Sequence, residues 1–158
     1  MSIKTIYFIA LFFVAVALGP ALAHLLELPN KIYLAREAYL TVQQIYRGWA
    51  LLGVVVAGAL LSTLVLTIMI RHERTAFVFA LIAFLCIVGT QVVFWTYTYP
   101  TNQVTNNWTM LPDNWMELRR QWEYSHATSA GLNLLALVAV ILSVLASEGK
   151  SAEQKVAT

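Results

Sequence analysis

Cysteine is almost missing from this chain: Cys86 is the only one in 158 residues. An internal disulfide and a cysteine-built metal cluster are therefore both excluded. Charge is scarce too. Asp, Glu, Lys and Arg make up 11% of the residues, less than half of the roughly 25% usual in a soluble domain. The net charge is only +2, and no basic run or basic-aromatic interleaving gives nucleic acid a footing. No internal repeat stands out either, which leaves a four-span chain without the paired repeats of a carrier. What fills the sequence is apolar. Hydrophobic residues reach 59% and the mean hydropathy is +0.69, with the excess gathered in blocks near the roughly 20 residues that cross a bilayer as helix.

These blocks predict an all-α integral membrane protein, a single membrane domain over 1–158 with spans at 5–26, 49–70, 75–99 and 118–146. A mobile polar tail is expected over 147–158. Span one begins like a secretory signal and carries Ala21-Leu22-Ala23, but its apolar run continues past His24, so we read it as a retained span. Pro20 should bend it and Pro29-Asn30 should end it. The connector IYLAREAYLTVQQIYRGW approximates an apolar helical face, which suggests a short amphipathic helix at the interface or folded over the bundle mouth; a hydrated loop is the alternative. In span two, Gly53, Ala57, Gly58 and Ser62 offer a small-residue stripe for close helix approach. The tight turn 71–74 makes spans two and three antiparallel neighbours. In span three, Gln91, Trp95, Thr98 and Asn102 share one face if the helix persists to Pro100. A structured loop then leads to span four, with Asp113 or Asn114 as the cap. The bundle is antiparallel and puts both termini on one side. Basic residues divide five against five between the two sides, and Lys4 ahead of span one favours cytoplasmic termini in a plasma (inner) membrane.

Chemistry is most plausible where the chain's two ends meet. Span one closes on His24-x-x-Glu27 and span four opens on Glu123-x-x-His126. In antiparallel helices the two motifs reverse in space, so both carboxylates fall at an outer level and both imidazoles about one turn deeper. Ionisable groups at membrane depth turn inward. Two His and one or two carboxylates can ligate a single Fe, Zn or Mn ion. Without metal they can act as an acid/base couple. Or they simply satisfy one another, with Arg47, Arg119 or Arg120 as counter-ions. Gln91 and Asn133 approach the cluster and Asn102 lies just outside it, making an amide-lined pocket roofed by Trp108, Trp115 and Trp122. Such a pocket suits a flat aromatic or quinone-like ligand.

Pro100-Thr-Asn102 after the third span, followed by Trp115, Arg119 and Trp122 ahead of His126, resembles the anthrone-oxygenase-like membrane proteins, a family catalogued largely as a domain of unknown function. The likeness covers most of the chain. It implies a small membrane oxidoreductase of oxygenase type acting on a phenolic or polycyclic aromatic substrate, with His24, Asn102, Arg119 and His126 as the positions carried over. In that reading His24, Glu27, Glu123 and His126 are catalytic or metal-ligating, and Gln91, Asn102, Arg119, Trp122 and Asn133 contact substrate. The other readings are a non-enzymatic accessory subunit of a membrane complex, and a lipid- or quinone-binding protein without turnover. Membrane lipids are partners in every case; a homo-oligomer or a membrane protein partner is open.

Overall fold

The computed structural model describes the backbone of residues 2–156 and the side chains of 2–148. Its elements, in order, are α1 (Ile3–Lys31), α2 (Arg36–Gln43), short 3-10 turns at Gln44–Tyr46 and Trp49–Leu52, α3 (Gly53–Met69), α4 (Arg74–Val93), a π turn (Phe94–Thr98), α5 (Tyr99–Val104) and α6 (Trp115–Val156). No strand occurs among the described residues. Four helical runs are long and apolar enough to cross a membrane: Ile3–Lys31, Trp49–Met69, Arg74–Val104 and Trp115–Glu148. This is a multi-pass membrane protein, an antiparallel four-span bundle bathed in lipid.

Close packing begins with small side chains. Ala76, Ala80, Ala83 and Ile87 form the buried face of α4, and Ala136, Ala139 and Val140 are buried on α6. In lipid, helices associate through such close approach rather than through a hydrophobic drive. At the terminal end the phenol of Tyr7 reaches Ser143, donating to its carbonyl at 3.1 Å, while Ser143 Oγ donates to the Ala76 carbonyl at 2.8 Å. Three spans are thereby tied at one end by polar groups that lipid could not satisfy. The small residues of span two do allow a close approach inside the bundle. A Cβ on Gly58 would fall 2.5 Å from Phe13 of α1, and Ser62 is buried within the bundle. Those two positions pack inside the chain, whereas Gly53 and Ala57 are exposed.

Three boundaries depart from the sequence reading. Pro29-Asn30 does not end the first helix, which continues to Lys31 and closes with the Ile32 N–H on the Leu28 carbonyl. A proline one turn from a helix end removes a single bond, and the gain described below outweighs it. The third span likewise passes Pro100 and ends at Val104. Here the π turn is the device: the Tyr99 N–H reaches back to Phe94, widening the turn just before the proline ring, which can donate no hydrogen bond. The last helix starts as expected, at Trp115 directly after Asn114, whose carbonyl accepts from the Leu118 N–H, but it runs past Ala146 to Val156. The tail expected over 147–158 is helical to Val156; its last two residues, 157 and 158, lie outside the described residues. The connector takes the folded-back form. Tyr39 of α2 is wholly buried against Trp108 and Trp122, over the mouth of the bundle.

Gly58→Ala should destabilise the fold by about 1–3 kcal/mol, the usual cost of overpacking. Gly19→Ala, where a Cβ meets nothing within 4 Å, should leave stability unchanged. Thermal unfolding of both variants in one detergent checks the pair, and equal transitions would disprove the α1–α3 contact.

Candidate functional site

The two motifs converge, with a cation between their carboxylates that comes from span one itself. Because α1 continues past Pro29, Lys31 lands one turn beyond Glu27 on the same face. Its ammonium lies 3.2 Å from Glu123 Oε1 and 3.4 Å from Glu27 Oε2. It also donates to the Tyr46 hydroxyl at 2.5 Å, and that hydroxyl donates in turn to Glu27 Oε2. Tyr39 donates to Glu123 Oε1 at 3.0 Å and accepts from the Gln43 amide. Glu123 has no exposed surface and Lys31 only 3%, so losing Lys31 would leave the Glu123 charge buried without a cation. Faces of Tyr46 and Trp122 flank the ammonium at 4.5 and 5.1 Å. Burial, and then the neighbouring Glu123 charge, pushes the Tyr39 phenol far above its ordinary range. Burial and the hydrogen bond to Glu27 do the same for Tyr46. Both phenols thus serve as neutral donors to carboxylates.

One turn deeper, the imidazoles of His24 and His126 stack with centroids 4.0 Å apart and planes 24° from parallel. Trp122 meets both edge-on, at 5.0 Å from His24 and 4.2 Å from His126, and Tyr46 leans on His24 at 4.4 Å. His24 Nδ1 and His126 Nε2 are buried with no hydrogen-bond partner. Both rings line a cavity of about 830 Å³. Its walls differ in character. Ala17, Pro20, Ala21, Val55, Val56 and Leu60 of α1 and α3 form an apolar side, whereas Gln91, Thr98, Asn102, His126, Ser129 and Asn133 line the side made by spans three and four. On that side α6 is latched to the π turn through Thr98 Oγ1 and Ser125 Oγ at 2.8 Å, and through Gln121 to the Tyr97 carbonyl at 3.0 Å.

The expected site residues divide between two places. His24, His126, Gln91, Asn102, Trp122 and Asn133 line the cavity. Glu27 and Glu123 do not; they belong to the ion network above it. Arg119 also leaves the cavity: its guanidinium donates to the Leu34 carbonyl at 2.8 Å and covers the ring of Trp115 at 4.6 Å, fastening the connector. Trp115 packs there too, so the cavity roof is Trp108 and Trp122. The counter-ion of the carboxylates is Lys31, not Arg47, Arg119 or Arg120. The four-residue metal set is not formed. Among the described residues no three His, Cys, Asp or Glu side chains gather as ligands for iron, zinc or manganese. An ammonium occupies the place between the carboxylates, and lone pairs lie in the planes of imidazole rings, so two near-parallel stacked rings do not aim theirs at one point.

Sequence reasoning missed Lys31, Tyr39, Gln43 and Tyr46. The signal was present as Glu27-x-x-x-Lys31 and as the 39, 43, 46 spacing of one helical face, but ending the helix at Pro29 concealed the first. The loop over the roof carries strain. Asn106, Asn107 and Trp108 all have left-handed backbones, with φ of 47°, 54° and 59°. Asparagine tolerates that region, while a tryptophan there is an outlier. Burial of the Trp108 ring against Tyr39 and Trp122 holds it, together with the Gln44 amide donating to its carbonyl at 2.8 Å. Comparison of the chain with protein families, with curated proteins and with solved structures finds no match in any of the three.

Lys31→Met should lower stability by about 3–5 kcal/mol, the cost of leaving a buried charge unpaired. Adding Glu123→Gln to it should restore most of the loss, since the amide keeps the Tyr39 contact without the charge. Denaturant or thermal unfolding reads both; a wild-type transition in Lys31→Met alone would show that the pair does not hold the mouth together.

Proposed function

We propose that this protein is a small membrane oxidoreductase of oxygenase type whose substrate is a flat, lipid-soluble aromatic molecule seated in the cavity. The observation that carries the reading is the stacked His24–His126 pair, with buried unpartnered nitrogens, on the wall of a large amide-lined cavity at the end of the bundle away from the termini. Both imidazoles line the cavity, so either can take a proton from a bound substrate. Trp122, edge-on to both rings, keeps them in register. Glu27 and Glu123 act one step away, through Lys31 and Tyr46, to hold the mouth rigid. For an anthrone-like substrate the reaction balances without a further reductant. An imidazole removes a methylene proton, the carbanion gives its electrons to molecular oxygen, one oxygen atom stays as the new carbonyl and the other leaves as water with the two hydrogens. The resemblance to anthrone-oxygenase-like proteins supports this chemistry.

A nearer alternative is binding of the same class of molecule without turnover, favoured by the apolar wall, which needs no reaction to explain it. Two measurements separate them. In lipid nanodiscs, 9,10-anthraquinone should quench tryptophan fluorescence saturably, and His24→Ala or His126→Ala should weaken that by about tenfold. Anthrone should then drive oxygen uptake that either substitution abolishes. Saturable binding without oxygen uptake leaves the binding protein; no saturable binding removes both readings.

We also propose that the membrane is the plasma (inner) membrane, with both termini cytoplasmic, on the strength of Lys4 ahead of the first span. In a Cys86→Ala background an impermeant maleimide added to intact cells should label Tyr33→Cys, at an exposed position beside the mouth, and spare Glu73→Cys in the opposite turn. The reverse pattern inverts the topology.

A further inference from the structure

Three seams of the bundle are packed beside the cavity, and the fourth is open. α1 meets α6 through the stacked histidine rings. α4 meets α6 where Gly89 faces Leu132, and α1 meets α3 where Phe13 covers Gly58. Between α3 and α4 the surfaces part. Full burial in α3 begins only at Ala59. Above it, Ala50, Gly53 and Ala57 fall three and four apart on one face, and all three are exposed while lining the cavity. A Cβ built on Gly53 would meet no atom of the described residues within 4 Å. On the facing edge, Trp95 of the π turn also lines the cavity and is 59% exposed. Residues that are both cavity wall and outer surface mark where the two join, so the cavity opens sideways between α3 and α4.

What lies outside this slot is bilayer. From Gly53 to Leu60, another lining residue, the edge runs about 10 Å at 1.5 Å per residue, within the span Trp49–Met69. The hydrocarbon core offers no water there, and apolar openings stay dry and take apolar guests. The upper rim differs in character. Arg47 is exposed, lines the cavity and stands just ahead of that span. Its guanidinium donates to Gln44 Oε1 at 3.0 Å, and the Gln44 amide donates to the Trp108 carbonyl at 2.8 Å. That chain sets the guanidinium beside the roof loop, where Asn107 and Thr109 are likewise exposed and cavity-lining. Among the described residues both salt bridges belong to Lys31, so the Arg47 charge faces the rim without a carboxylate.

We propose that the slot is a phospholipid site: one acyl chain passes between α3 and α4 into the cavity, and the phosphate rests on Arg47 at the rim. A guanidinium offers five donors in a planar fork that suits phosphate, and only one N–H is assigned to Gln44. A cation at headgroup level above an apolar opening at chain depth matches an anionic amphiphile, whereas a flat neutral polycycle would use neither. The inference does not rest on the aromatic reading. A polycycle entering the cavity would displace the chain, and either reading can fail alone.

Native mass spectrometry of protein released from phosphatidylglycerol nanodiscs tests the site, because activation strips surrounding lipid first. Wild type should retain one phospholipid per chain. Arg47→Gln should lower that occupancy at least fivefold, as should Ala57→Phe and Gly53→Leu, made separately, which fill the slot from one edge at exposed positions. Arg71→Gln, at an exposed position in the opposite turn, should leave it unchanged. A second readout locates the chain. In a Trp95→Phe background, chain-brominated phosphatidylglycerol should quench Trp108 and Trp122, which are buried on the cavity wall, and Gly53→Leu should relieve that quenching. No retained lipid in wild type, or an equal loss in Arg71→Gln, overturns the site. Retention that Arg47→Gln leaves intact removes the phosphate seat, and retention or quenching that both slot variants leave intact removes the chain; either result overturns the proposal.

Discussion

A carboxylate with no exposed surface inside an apolar bundle must meet a cation, and Glu123 meets Lys31 at 3.2 Å. Much of the mouth follows from that contact. Lys31 can reach Glu123 only if the first helix continues through Pro29, so the ion pair compensates the hydrogen bond that the proline cannot make. The connector folds back and adds two donors, Tyr39 to Glu123 Oε1 and Tyr46 to Glu27 Oε2, while Glu123 Oε2 stays buried without one. A surface loop could not do this, because water would compete for each group. The network is therefore the reason the connector folds back over the mouth, burying Tyr39 and Gln43 while its outer side stays exposed.

Below that cap the bundle needs an opening, and two irregularities shape it. The π turn at Phe94–Thr98 lets the third span pass Pro100 without breaking. It thereby extends Asn102 to the level of Trp122, where the indole fixes its amide. The left-handed run at Asn106, Asn107 and Trp108 then turns the chain sharply enough to lay Trp108 over the cavity. Each irregularity has a local cost and sits where the cavity is built. Strained backbone persists when its surroundings over-determine it. Here the surroundings are the buried faces of Tyr39 and Trp122.

The division of labour between the two levels also clarifies the chemistry. Carboxylates and imidazoles come in His-x-x-Glu and Glu-x-x-His pairs, which invites reading them as one set. In space the carboxylates belong to Lys31 and the tyrosines, while the imidazoles belong to the cavity. The outer level holds the helices in position. At the inner level the two imidazole rings line the cavity, with His24 Nδ1 and His126 Nε2 buried and without a partner. Side chains whose rotamers are locked by packing and by hydrogen bonds one layer out hold their geometry more precisely than free ones.

How much of this could be read without coordinates depends on the range of the interaction. Four apolar blocks of near-spanning length determine four helices, because lipid offers backbone groups no other partner. An even number of helices in antiparallel order sets His24 beside His126, since the two motifs reverse in space. That much is local pattern plus topology. The helices run past Pro29 and Pro100 against local pattern for one reason: proline's preference is a local quantity, and distant partners, Glu123 for Lys31 and Trp122 for Asn102, reverse it. Arg119 and Trp115 share a face with residues that reach the cavity, yet they turn to the connector, whose fold-back no spacing in span four encodes. The sequence by itself determined the spans, their antiparallel order and the meeting of the Pro100–His126 segment with the end of span one. Only the tertiary structure decided which cation the carboxylates take and which amides face the cavity, because both depend on helix rotation and on a connector placed by contacts far apart in the chain.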